Sequence, residues 1–110
     1  EEEEGVVVCS FGGPIIFASK DFFDRCIRRA VAAEERRRGE AGGYVVLDCC
    51  GVRAMDSSGA GVVKSMLSRL QGQGWHVLLC SASPSLQEDL DRHGVRDALR
   101  ERGGRVVLGV

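Results

Sequence analysis

Tyr44-Val45-Val46-Leu47-Asp48-Cys49-Cys50, then Gly51-Val52-Arg53-Ala54, then Met55-Asp56-Ser57-Ser58-Gly59-Ala60-Gly61, is the stretch that decides the fold. The first block is an almost unbroken apolar run, which predicts a central strand with both faces covered. Beyond the third block, Val63, Met66, Leu67 and Leu70 recur at helical spacing and mark the buried stripe of a helix. Gly72 and Gly74 stop it. A buried strand, a short loop and an amphipathic helix in succession form half of a β-α-β unit. Asp56-Ser57-Ser58-Gly59 lies where the loop becomes the helix.

Downstream, residues 75–81 (from Trp75 to Ser81) read as another buried strand. Ser83-Pro84 is an N-cap with proline at the first helical position, a strong start signal. Leu86 and Leu90 face inward in that short helix, and Gly94 ends it. Residues 95–102 read as one more short helix and residues 105–110 as a final strand.

Upstream, residues 5–11 (from Gly5 to Phe11) read as a first strand. Gly12-Gly13 is the signature of a two-residue hairpin turn. Residues 14–17 would then form a short antiparallel second strand, with Pro14 suited to a strand start or an edge. Ser19 is a fair N-cap. Phe23, Ile27, Ala30 and Val31 give the following helix one apolar stripe. Arg36-Arg37-Arg38 and Gly39 close it, and the basic run reads as a solvated helix end neutralised by Glu34 and Glu35.

The expected order is β-β-α-β-α-β-α-α-β. This is an α/β fold with a central mixed sheet of about five strands, an opening antiparallel hairpin followed by parallel strands, and about four helices. Residues 5–110 form the single domain, and residues 1–4 an acidic tail or linker.

With 110 residues there is room for one core. Fifteen basic and 16 acidic residues leave a net charge of −1, which argues against a nucleic-acid partner. Apolar runs are far shorter than the roughly 20 residues of a membrane span, so the domain is expected to be soluble. Glu1 to Glu4 is the reverse of the basic start of a signal peptide. Cysteines stand at 9, 26, 49, 50 and 80 without any C-x-x-C spacing. They read as free thiols of a reducing compartment, with no zinc site.

No catalytic set emerges. A nucleophile elbow needs glycine two residues before the serine, and Met55 and Asp56 stand there instead. Lys64-Ser65 lacks the glycine of a phosphate-binding loop, and Lys64 replaces the third glycine of a dinucleotide pattern begun by Gly59 and Gly61. His76 opens a strand and His93 precedes a helix-stopping glycine, so both read as structural or exposed. Asp56, Ser57, Ser58 and Gly59 have two readings. Asp and Ser are good N-cap residues. A serine in a loop at the carboxyl end of a strand is also where partners are met.

Val46-Leu47-Asp48, Gly51-Val52 and Met55-Asp56-Ser57-Ser58-Gly59-Ala60-Gly61-Val62 resemble the core signature of STAS domains, the modules shared by sulfate transporters and anti-sigma factor antagonists. Trp75 to Cys80, Ser83-Pro84-Ser85 and the stretch from Leu90 to Gly94 are similar to the family's next strand and helix. The resemblance implies a non-catalytic regulatory and protein-interaction domain, with Asp56, Ser57, Ser58 and Gly59 as its interaction loop. In the antagonist branch the serine after the aspartate is phosphorylated by a partner kinase, a role that falls on Ser57, with Ser58 beside it. Gly13-Pro14-Ile15-Ile16-Phe17-Ala18-Ser19 with Phe22-Phe23 is similar instead to SulP-type anion transporters. That branch implies the cytosolic C-terminal domain of a transporter, partnered by its membrane domain or twin subunit. The alternative is a free-standing antagonist partnered by an anti-sigma factor or serine kinase. No metal or cofactor is implied beyond weak guanine-nucleotide binding at the loop.

Overall fold

The computed structural model describes residues 5–101 and the backbone of residues 105–107. The elements run β1 (Val6–Ser10), α1 (Lys20–Arg38), β2 (Gly43–Asp48), α2 (Ser57–Gly72), β3 (Trp75–Cys80), α3 (Pro84–Arg92), α4 (Val95–Glu101) and β4 (Arg105–Val107). The four described strands form one sheet in the order β1-β2-β3-β4. All three pairings are parallel, with Val7 opposite Val45 and Val45 opposite Val77. The rest of the predicted last strand, residues 108–110, and residue 102 of the last predicted helix lie outside the described residues, as does the predicted tail at residues 1–4.

Parallel strands in sequential order, joined by crossovers of the usual right hand, bring the helices to one face of the sheet. Burial agrees with that arrangement. Val7, Val45, Leu47, Trp75, Val77 and Leu79 are buried, while their alternating neighbours Val8 and Tyr44 are 66% and 51% exposed. The apolar run around Val46 therefore does not mark a strand covered on both sides, as its sequence suggested. One face packs under the helices and the other stays open.

The predicted stripes supply most of the core, although Ala30 of the first stripe is only half-buried and α4 adds residues that the sequence reading did not single out. Phe23, Ile27 and Val31 come from α1, Val63, Met66, Leu67 and Leu70 from α2, Leu86 and Leu90 from α3, and Val95 and Leu99 from α4. Helix ends follow local chemistry. The Ser83 hydroxyl accepts from the Leu86 N–H at 3.2 Å with Pro84 at the first helical position, and Gly39 closes α1 in the left-handed region.

The opening hairpin does not form. Hairpin turns of two residues need positive φ at the first central position. Here Gly13 has φ +100°, whereas Gly12 is outside the positive region. The segment pairs instead with the loop after β2. Gly13 N–H donates to the Gly51 carbonyl at 2.8 Å, Ile15 N–H to Ala54 at 2.9 Å, and Asp56 N–H to Ile15 at 3.3 Å. Ile15 and Met55 thus form a single parallel bridge in place of an antiparallel strand. The sheet therefore has four described strands rather than five. Ser19 is not the expected side-chain cap of α1. Its hydroxyl donates to the Pro14 carbonyl at 2.7 Å and accepts from Ile16 N–H, folding this segment onto itself.

The basic end of α1 is also more than a solvated terminus. Arg38 is nearly buried, lies 5.6 Å over the Trp75 ring, and donates to the Gly42 carbonyl and Glu40. Glu34 pairs with Arg37 as expected. Glu35 instead accepts from Trp75 Nε1 at 3.0 Å, tying α1 to the start of β3.

Candidate functional site

Asp56 is the hinge of the loop that opens α2. Its backbone is extended, and Oδ1 accepts from Gly59 N–H at 2.8 Å, satisfying a donor that the first turn of a helix leaves free. Oδ2 accepts from Phe17 N–H at 3.1 Å. One carboxylate therefore caps the helix and anchors the segment after Ile15. The cap reading of the sequence holds for Asp56.

Gly59 is required for the same junction. A Cβ built there would stand 2.0 Å from the Ile15 carbonyl oxygen. Only a residue without a side chain lets the first turn of α2 lie against that backbone.

The two serines face different ways. Ser57 is exposed and Ser58 is half-buried. Ser58 and Ser65, seven residues apart and so on one helix face, line a shallow groove against Asp21, Asp24 and Arg28 of α1. Asp24 there holds both Arg28, at 2.7 Å, and Arg69, at 3.3 Å. Ser57 shares its face with Lys64 by the same spacing. Lys64 Nζ donates to the His93 carbonyl at 2.9 Å, so that face looks toward the end of α3.

The loop itself is tied to α3. Met55 N–H donates to Asp89 Oδ2 at 3.0 Å, and Asp89 also holds Arg92. Two exposed aromatic side chains, Phe17 and Phe22, lie on the segment that Asp56 anchors through the Phe17 N–H. Phe22 leans on Phe11 at 6.1 Å, and Lys20 Nζ lies 5.3 Å over the Phe17 ring. The rim at the carboxyl end of β2 thus combines an exposed hydroxyl, a carboxylate and apolar surface. His76 lies at the opposite end of the sheet, stacked on Tyr44 at 5.4 Å.

The Gly59 N–H holds the Asp56 carboxyl below its ordinary range. Partial desolvation opposes this, while the Phe17 and Ser58 amides and the charge of His93 act with it. A depressed folded pKa adds stability above the unfolded value, near 3.9, and that stability is lost as pH falls through the folded value. Asp56→Asn keeps a good cap but turns an N–H toward Phe17 N–H. At pH 6 the variant is expected to unfold at lower urea than the parent. The gap should narrow as the pH falls from 4 toward 2, and urea midpoints measured across that range check it.

All five cysteines are free thiols. Burial, then Cys80 and Asp48, pushes the Cys49 thiol up to about 12, so it stays protonated and unreactive at neutral pH. Cys50 is exposed. Iodoacetamide on the native domain at pH 8 is expected to label Cys50 and leave Cys49 unlabelled until denaturant is added, which peptide mass spectrometry reads directly. Among the described residues no group of His, Cys, Asp and Glu is placed to hold a metal ion. No described helix is long and apolar enough to cross a membrane.

Asp56, Ser57, Ser58 and Gly59 are thus adjacent at one rim, as their contiguity requires. Phe17 joins them through Asp56 and Asp89 through the preceding Met55, while Lys64 and His93 bond to each other further along α2; no local pattern marks these contacts.

The family model described as the STAS domain matches residues 1–108. A curated relative, the probable sulfate transporter 3.4 of Arabidopsis thaliana, is 28% identical over 109 residues. The match covers 96% of this chain and 17% of that protein, so the chain spans about one sixth of the relative's length. Among solved structures, murine Slc26a9, an anion transporter in the inward-facing state, superposes with a TM-score of 0.78 at 22% identity. That match covers all of this chain and 17% of that one. A putative anti-sigma factor antagonist from Thermotoga maritima superposes with a TM-score of 0.71 at 14% identity, covering 97% of this chain and 82% of that one. At these identities the structural likenesses establish the fold.

Proposed function

Because this chain belongs to the STAS domain family, we propose that it is a non-catalytic regulatory and protein-interaction domain, the cytosolic domain of a SulP-type anion transporter. The observation that carries this reading is the rim itself. Phe17 and Phe22 stand exposed on the Pro14-to-Phe23 segment, and Asp56 bonds that segment to the serine loop. An apolar surface joined to a chargeable hydroxyl is suited to reversible docking. The likeness to a sulfate transporter supports the membrane domain of the same protein, or its twin subunit, as the partner.

The encoded sequence upstream of residue 1 tests the assignment. A series of apolar spans is expected there, and deletion of residues 5–110 from the membrane-embedded protein should alter sulfate uptake. A reading frame without such spans, or uptake indifferent to the deletion, overturns the transporter reading.

The exposure of Ser57 supports a second reading, a free-standing anti-sigma factor antagonist. A serine kinase would transfer the γ-phosphoryl of ATP to Ser57 Oγ, releasing ADP and the hydroxyl proton. The added charge of about −1.5 to −2 beside Asp56 would expel a docked partner. One phosphate gained with such a kinase, and lost in Ser57→Ala, is the expected result. No incorporation removes this reading.

A further inference from the structure

We propose that Lys64 and His93 form an intramolecular receptor for a phosphoryl group carried on Ser57, and that the neighbouring Ser58 has no such receptor. The inference rests on the reading of Ser57 as a regulatory serine and adds to it the residues that register the modification.

Three placements carry it. Ser57 and Lys64 lie on one face of α2, separated by two helical turns, and helical side chains lean toward the helix start. Lys64 Nζ reaches the His93 carbonyl at 2.9 Å, which fixes the end of α3 beside that face. Asp89, one turn before His93, accepts from Met55 N–H at 3.0 Å, so α3 is held against the loop as well as against α2. His93 itself is half-buried. The charge of a protonated His93 acts on Asp56 in the same sense as the amides of Gly59, Phe17 and Ser58, as the smallest of these effects.

Charge balance explains why a receptor of this kind is needed. The carboxylate of Asp56 already occupies the Gly59 and Phe17 N–H groups. A phosphoryl group next to it meets a negative charge, and its neutralisation must come from side chains. Among the described residues, the charged groups linked to His93 by contact or chain position include Asp56 from the loop, Lys64 from α2, Asp89, Asp91 and Arg92 from α3, and Arg96 from α4. Asp89 pairs with Arg92 and Asp91 with Arg96. Lys64 is bonded only to a neutral carbonyl among the described contacts, so its ammonium and the imidazole are the groups that answer new negative charge. On the other face, Ser58 looks toward Asp21 and Asp24, and Asp24 already engages both nearby arginines. A phosphoryl group there meets acidic side chains.

The experiment places phosphoserine at residue 57, or at residue 58, by genetic encoding during synthesis of the 110-residue domain. The His93 imidazole is titrated by NMR in both and in the unmodified domain. The phosphate is titrated by ³¹P NMR. Phosphoserine at 57 is expected to raise the His93 midpoint by about one pH unit, a tenfold tighter hold on the proton. The phosphate's second ionisation should fall below its free value near 6 and return toward it in Lys64→Met and His93→Gln. Phosphoserine at 58 should leave His93 unmoved. An unchanged His93 midpoint with phosphoserine at 57, an equal response to phosphoserine at 58, or a ³¹P midpoint insensitive to both variants overturns the proposal. No kinase or docking partner enters these measurements, so a failure here leaves the regulatory reading standing. Absence of kinase action on Ser57 would not alter the titration.

Discussion

Gly59→Ala is expected to destabilise the domain by about 3 kcal/mol, whereas Gly61→Ala, two residues further along the same helix, should stabilise it by about 0.5–1 kcal/mol. The new Cβ at 59 would stand 2.0 Å from the Ile15 carbonyl oxygen and 2.7 Å from its carbon. Both are backbone atoms, so no side chain can swing aside. The start of α2 must move away from Ile15, breaking the bond from Asp56 N–H to Ile15 and straining the one from Phe17 N–H to Asp56. At Gly61 a Cβ meets nothing within 4 Å, and alanine only reduces the freedom of the unfolded chain. Urea denaturation followed by circular dichroism should show the two midpoints moving in opposite directions at similar slope.

Trp75→Ala should be the most damaging single truncation, at about 3–5 kcal/mol. Trp75 is 1% exposed and is the largest fully buried side chain. Its loss opens a cavity at the start of β3 and also removes the partner of Glu35 and the platform under Arg38. Those two groups lie at the end of α1, so the effect should spread to the α1–β2 connection. Trp75→Phe keeps most of the apolar area and loses the indole N–H, for a cost nearer 1–1.5 kcal/mol. Since the chain has one tryptophan, far-ultraviolet circular dichroism is the appropriate probe.

The features readable in the sequence are those whose causes are local. Phe23 and Ile27, Leu86 and Leu90 mark buried helix faces because a period of 3.6 brings them together wherever the helix packs. Ser83-Pro84 starts α3 by geometry contained within four residues. Asp56 was recognisable as a cap for the same reason. Gly12-Gly13 and Pro14 resemble a hairpin turn because glycine and proline signal a change of direction without naming the next partner. Gly51 and Ala54 supply that partner, nearly forty residues away. The same limit hid the Asp56 bond to Phe17, the Lys64 bond to His93 and the seat of Arg38 on Trp75. It also hid the open face of the sheet, since an apolar run at β2 looks alike whether one or both faces are covered. Only the sequential strand order leaves Val8 and Tyr44 uncovered.

The rim formed by Phe17, Phe22, Asp56 and Ser57 is the surface proposed above to meet the membrane domain or twin subunit of a parent protein. Amide hydrogen exchange, compared between the isolated domain and the full-length parent, addresses that surface directly. Peptides spanning residues 14–23 and 55–61 are predicted to exchange more slowly in the parent, while peptides from the opposite end of the sheet around Tyr44 and His76 serve as the reference. Equal exchange of the rim peptides in both proteins would contradict the account.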